Sequence, residues 1–134
     1  MPSDMNSILK QARTIAVVGM SNKPERDSFM VGKYMMDKGY TVIPVRPGGG
    51  DILGQPVFAT LADVKSPIDI VDVFRNSEDA LGVVEESVRL SPKPKAIWLQ
   101  FGVVNEKARS LAEQHGIPIF MDHCLKVDHA NMGG

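Results

Sequence analysis

Five short apolar runs punctuate the chain, and amphipathic or polar stretches separate them. The runs are Thr14–Val18 (TIAVV), 40–45 (YTVIPV), 68–74 (IDIVDVF), 96–101 (AIWLQF) and 117–121 (IPIFM). Continuous apolar runs rich in β-branched residues predict strands covered on both faces. The third run is interrupted by Asp69 and Asp72, which predicts a half-exposed end. Pro44 lacks an amide donor and limits the ladder bonds of the second strand. Met5, Ile8, Leu9 and Ala12 recur at helical spacing, predicting an N-terminal helix within residues 1–12, capped by Ser3 or Asp4. Ser28 is the expected cap of a helix running to Lys38, which Gly39 ends. Ser77 is the expected cap of another running to Leu90, with Glu78 and Asp79 in its favourable first turn. Pro92 and Pro94 break that helix. Asn105 caps a fourth, with Ala108, Leu111, Ala112 and His115 on one face and Gly116 at its end. Residues 46–56 read as a loop, 56–58 as a short extended piece, Leu61 to Val64 as one turn, and 122–134 as a polar tail or short helix.

Strand and helix thus alternate five times. That pattern demands right-handed crossovers and a parallel sheet with helices on both faces. The fold expected is α/β: a Rossmann-like, doubly wound, five-stranded parallel sheet in one domain spanning 1–134. A length of 134 residues suits one core. Apolar and charged fractions of 43% and 23% match a globular chain rather than a disordered one. Fifteen basic against sixteen acidic residues give a net charge of −1, which argues against nucleic acid as a partner. A single cysteine excludes an internal disulfide framework, and no apolar run is long enough to span a membrane. A cytoplasmic protein with no membrane partner is the expectation.

Ligands of such sheets sit beyond the carboxyl ends of the strands, where strand order reverses. After the first strand comes Gly19, then a loop with Ser21, Asn22, Lys23, Arg26 and Ser28. Its place is that of a phosphate-binding turn at a helix N-terminus. It is not G-x-G-x-x-G, so hydroxyls, an amide and cations would hold the anion, unless this is simply a solvated loop. The second strand ends in Val45-Arg46-Pro47. An NAD enzyme carries an acid there to grip ribose hydroxyls. Arg46 favours a ribose phosphate, as in NADP or coenzyme A, or else is an ordinary surface arginine. At the third strand end, Phe74 would wall an adenine or close the core, and Arg75 would stack on a ring or meet a phosphate. The fourth end offers Gln100. Near the C-terminus, Asp122, His123, Cys124, Asp128 and His129 hold metal-capable atoms, but without a second cysteine the metal reading is the weaker one. Cys124 reads as a buried, inert thiol, since His123 beside it would point away. No nucleophile–base–orienter set stands out, so no catalytic residue is assigned.

Six blocks appear in order: IAVVGMSNKPERDS, VIPVRP, LGQPVFATLADV, IVDVFR, IWLQFGVVNEKA and MDHCLKVDH. Together they resemble the stand-alone bacterial CoA-binding domain proteins. These are similar to the CoA-binding domain of succinyl-CoA synthetase α subunits and of ADP-forming acyl-CoA synthetases. The resemblance covers residues 6–130. It implies that coenzyme A is the cofactor, bound without catalysis by the chain itself, with an acyl-CoA enzyme as a further partner. The diphosphate would rest on the loop 19–28, the ribose phosphate near Arg46 and the adenine near Phe74. Two positions depart from the family pattern. Asp27 stands where a proline usually follows the arginine, and Val45-Arg46-Pro47 stands where V-N-P is frequent. The competing readings are a small NADP-dependent oxidoreductase, for which a substrate domain is lacking, and a degenerate Rossmann scaffold for protein interaction.

Overall fold

The computed structural model describes residues 5–132. Five strands, β1 (Thr14–Val18), β2 (Thr41–Val45), β5 (Ile70–Val73), β6 (Ala96–Leu99) and β7 (Ile119–Phe120), form one parallel sheet in the order β2-β1-β5-β6-β7. Alternation along each strand sends side chains to opposite faces. Ala16, Val18, Val71, Val73, Ile97 and Leu99 build one core with helices α3 (Ser77–Val88) and α4 (Glu106–Gln114). Ile15, Val17, Ile70 and Trp98 build the other with α1 (Met5–Gln11), α2 (Asp27–Asp37) and α5 (Leu125–Ala130). The Rossmann-like layering expected of the sequence is the observed one.

Several local expectations change. Pro44 is accommodated because β2 is an edge strand, where the missing donor breaks no essential ladder. That edge is covered by Phe58, whose amide donates to Pro44 O at 3.0 Å and whose carbonyl accepts from Arg46 N–H at 2.8 Å. Within residues 46–56, read as loop, lies a small antiparallel hairpin, β3 (Asp51–Ile52) with β4 (Gln55–Pro56). The third strand has no half-exposed end. Every residue of β5 is buried, Asp72 included, because strands flank it and helices cover both faces. Asn105 caps α4 as expected, accepting from Ala108 N–H at 2.9 Å. The α3 cap is Asn76 rather than Ser77, accepting from Asp79 N–H at 2.8 Å. The α2 helix starts at Asp27, with Arg26 at the cap position. The C-terminal stretch is the short helix α5, and its Leu125 is buried. Ser3 and Asp4, the expected caps of α1, lie outside the described residues.

Candidate functional site

Strand order reverses between β1 and β5, so the crossovers leave on opposite faces and open a crevice at the carboxyl ends. A cleft of about 580 Å³ lies there. Gly19, following β1, and Phe74, following β5, line it. Ser21, Asn22, Lys23, Arg26 and Ser28 contribute from the β1–α2 loop, and Arg46 from the end of β2.

Gly19 is required for this meeting of strand ends. Its φ is +84°, and a Cβ there would stand 2.5 Å from the Phe74 carbonyl oxygen. Its amide donates to Val45 O at 2.8 Å. The loop beyond is tied internally. Ser28 Oγ accepts from Ser21 N–H at 2.8 Å, and Ser21 Oγ accepts from Lys23 N–H at 3.0 Å. Ser28 is therefore a buried brace of the loop and not the helix cap. Arg26 makes no side-chain cap bond. The first amides of an α-helix have no intrahelical acceptor, and Asp27 and Ser28 of that first turn line the cleft, near the positive end of the helix dipole. Arg46 is part-buried and donates through Nη1 to Met20 O at 3.3 Å. A guanidinium has five N–H donors, so most of its capacity is left for an anion. Glu25 and Asp27 also line the cleft, which tempers its positive potential. Glu25 was not singled out from the sequence.

The other candidate residues fall into two smaller cavities. One, of about 220 Å³, lies behind Arg46, with Val45, Pro47 and Arg75 among its walls, together with Thr60 and Leu61. Arg75 pairs with Asp79 at 3.2 Å in an exposed contact worth little in stability. The other, of about 210 Å³, is lined by Gln100 and Asp27 with Met30, Phe101, Cys124 and Val127. Arg46 belongs to the first cavity and the cleft, and Asp27 to the second cavity and the cleft. The twelve candidate positions thus line adjoining spaces along one edge of the sheet. Sequence reasoning passed over Met30 and Val127, and placed Phe101 at the fourth strand end without giving it a role. Their signal was apolar side chains on otherwise polar turns and faces.

The metal-capable group near the C-terminus is dispersed into structural contacts. Asp122 Oδ1 accepts from Gly102 N–H at 2.7 Å. Asp128 Oδ2 accepts from Trp98 Nε1 at 2.8 Å and lies 2.9 Å from His123 Nδ1. His129 Nδ1 meets the Tyr34 hydroxyl at 3.0 Å. Cys124 faces the second small cavity. Among the described residues, no three His, Cys, Asp or Glu side chains are grouped to hold a metal ion. Beneath the strand ends, burial pushes the Asp72 carboxyl well above the usual carboxylate range, and the nearby Asp128 charge adds to this. Neither oxygen of Asp72 has a hydrogen-bond partner, so the protonated acid is the form the core accepts.

Comparison with known proteins fits this geometry. An uncharacterized protein of Bacillus subtilis (strain 168), YneT, is 43% identical over 128 residues, covering 96% of this chain and 93% of that protein. The structure of cell-free ID.343 from Thermus thermophilus superposes with a TM-score of 0.91 at 34% identity, covering 98% of both chains. A hypothetical protein from Pyrococcus horikoshii OT3 superposes with a TM-score of 0.92 at 31% identity, covering 100% of this chain and 93% of that one. The fold is also shared with a dinucleotide forming acetyl-coenzyme A synthetase 1 from Ca. Korarchaeum cryptofilum, at a TM-score of 0.73 and 20% identity. That likeness covers 87% of this chain and 27% of the synthetase. Residues 13–130, which include the whole parallel sheet and its cleft, match the CoA binding domain family, and the chain belongs to that family.

Proposed function

We propose that this domain binds coenzyme A or an acyl-CoA through its ADP moiety, along the carboxyl edge of the sheet, without catalysis of its own. The carrying observation is the uncapped N-terminus of α2, open to a cleft shared with Lys23, Arg26 and Arg46 at the strand-order reversal. A diphosphate suits that position, where backbone amides, the helix dipole and flexible cations converge. Arg46 takes the 3′-phosphate of the ribose, since it lines both the cleft and the cavity behind it. The adenine enters that cavity, between Pro47 and Arg75, where a guanidinium stacks on a ring face. Phe74 borders the diphosphate cleft, so in this reading Arg75 rather than Phe74 is the residue of the third strand end against the purine. The bound coenzyme would be presented to an acyl-CoA enzyme, in keeping with the family.

Calorimetric titration tests this. Coenzyme A at a hundred times its dissociation constant is expected to stabilise the fold by about 2.7 kcal/mol, with little effect from NAD. Arg46→Ala is expected to weaken coenzyme A roughly ten- to hundredfold, as for loss of a charge-assisted contact of about 1.5–3 kcal/mol. Dephospho-CoA should be almost indifferent to the substitution. Equal losses for the two ligands would remove the 3′-phosphate from Arg46. A flat response to coenzyme A at millimolar concentration would remove the ligand altogether, and a response to NADP alone would favour the oxidoreductase-like reading.

A further inference from the structure

The cavity beside Asp27 differs in character from the cleft it adjoins. Four large apolar side chains are markedly exposed among the described residues: Met30, Phe101, Val104 and Val127. Three of them, Met30, Phe101 and Val127, border this one space. Exposed apolar groups gathered at one cavity mark a binding surface. A polar group lies in the same wall. Gln100 is 9% exposed, and its Oε1 is buried with no hydrogen-bond partner. A buried carbonyl oxygen left unpaired is costly, and its partner is to be sought in whatever fills the cavity. Val31, Lys126 and Cys124 share the lining, and Cys124 is the one cysteine of the chain.

We infer that this cavity takes the pantetheine arm of coenzyme A and that Cys124 exchanges with coenzyme A disulfide, holding the coenzyme as a mixed disulfide. The inference rests on the coenzyme A reading of the adjoining cleft. An ADP seated there sends its arm past Asp27, which borders both spaces. The arm is apolar along its carbon chain and carries two amide N–H groups, one of which supplies the donor Gln100 Oε1 lacks. Its sulfur then ends among Met30, Val127 and Cys124. Cys124 Sγ gives up its proton and attacks the sulfur of the seated half of the disulfide. A bond forms between Cys124 and that sulfur as the original S–S bond breaks. The second half leaves as a thiolate and takes up a proton. One thiol and one disulfide are present before and after, so no external oxidant enters. Because Cys124 is buried, only a disulfide delivered by the neighbouring cleft reaches it well.

Intact-mass spectrometry of the full chain tests this with two probes, coenzyme A disulfide and glutathione disulfide. The expected product has gained the mass of one coenzyme A less two hydrogens. It disappears with dithiothreitol and forms at least tenfold faster than the glutathione adduct. Arg46→Ala is expected to slow the coenzyme A reaction and leave the glutathione reaction unchanged. Cys124→Ser should form no adduct, and the wild-type rate comparison stands even if that variant folds poorly. Equal rates for the two disulfides, or no adduct, would overturn the inference. Calorimetric binding without an adduct sinks this inference alone. An absence of both sinks the coenzyme A reading with it.

Discussion

The two flanks of the α2 N-terminus are unlike. On one side, Lys23, Arg26 and Arg46 share the cleft with hydroxyls and open helix amides. On the other, Met30, Phe101 and Val127 surround a cavity whose buried polar atom, Gln100 Oε1, is unpartnered. One helix start divides a site for concentrated negative charge from a site for an apolar chain. A small metabolite would need only one of them. The pair suits an elongated ligand with an anionic head and a greasy arm, and this carries more specificity than either half alone. The division depends on backbone placement more than on charge. The charged side chains are mostly exposed, whereas the strand ends from which α2 departs are tied by backbone hydrogen bonds, Gly19 N–H to Val45 O and Phe74 N–H to Val18 O, both at 2.8 Å.

The largest effect is therefore expected where the strand ends meet. Gly19→Ala adds a Cβ at 2.5 Å from a backbone oxygen and imposes a left-handed φ of +84° on a side chain. Left-handed strain of about 1–2 kcal/mol and overpacking of about 1–3 kcal/mol sum to roughly 2–5 kcal/mol. Urea unfolding should show a stability loss of that size, read as a lowered midpoint with an unchanged slope. A loss below about 1 kcal/mol would mean that β1 and β5 can move apart, and that the boundary between the two flanks is soft.

The layering of the fold was legible because apolar runs and caps recur with the right periods. Asn105 and the burial of β1 needed nothing from tertiary structure. The site was legible to the extent that fold topology locates it: the strand-end rule picked out Gly19, Arg46 and Phe74 before any contact was known. What escaped depended on contacts distant in sequence. Ser28 reads as a cap by its type, but its hydroxyl is taken by the Ser21 amide when the loop folds back. The hairpin at residues 51–56 is too short for periodicity to reveal. Asp72 resembles a sign of exposure, yet strands on both sides enclose it. The apolar cavity escaped because Met30, Phe101 and Val127 come from three separated segments and assemble only when α5 packs against α2.

Asp72 gives a second way to sharpen the comparison, since it is a buried acid in the core beneath the strand ends. Its folded-state proton affinity is raised, first by burial and then by Asp128. The native state therefore holds a proton that the unfolded chain releases above the ordinary aspartate value of 3.8. Stability is present in full below that value and falls as pH rises toward the folded one, by up to about 1.4 kcal/mol per pH unit. His129 works in the other sense. Burial and Lys38 lower its proton affinity, so its contribution rises with pH up to its ordinary value of 6.5. Comparing wild type with Asp72→Asn at each pH cancels the histidine. The substitution should be most favourable near neutrality and lose its advantage toward about pH 4. An advantage independent of pH would show that Asp72 does not titrate as a buried acid.

The smallest effect, and the one that probes the boundary most directly, is at Asp27. It is the first residue of α2 and borders both flanks. Two forces oppose each other there. An acid in the first helical turn interacts favourably with the helix dipole, by about 0.3–1 kcal/mol. The same charge repels a diphosphate in the cleft. Screened by water at a separation of several ångströms, that repulsion is on the order of 0.5–1 kcal/mol. Asp27→Asn should therefore lower the stability of the free protein slightly while tightening coenzyme A about two- to fivefold. The gain should fade as salt shortens the screening length, whereas a gain from better packing would persist. Pantetheine alone, which lacks the diphosphate, should show no gain. Weaker binding of coenzyme A by Asp27→Asn at low salt would mean that the carboxylate accepts from the ligand, and that the anionic head lies farther from α2 than the open amides suggest.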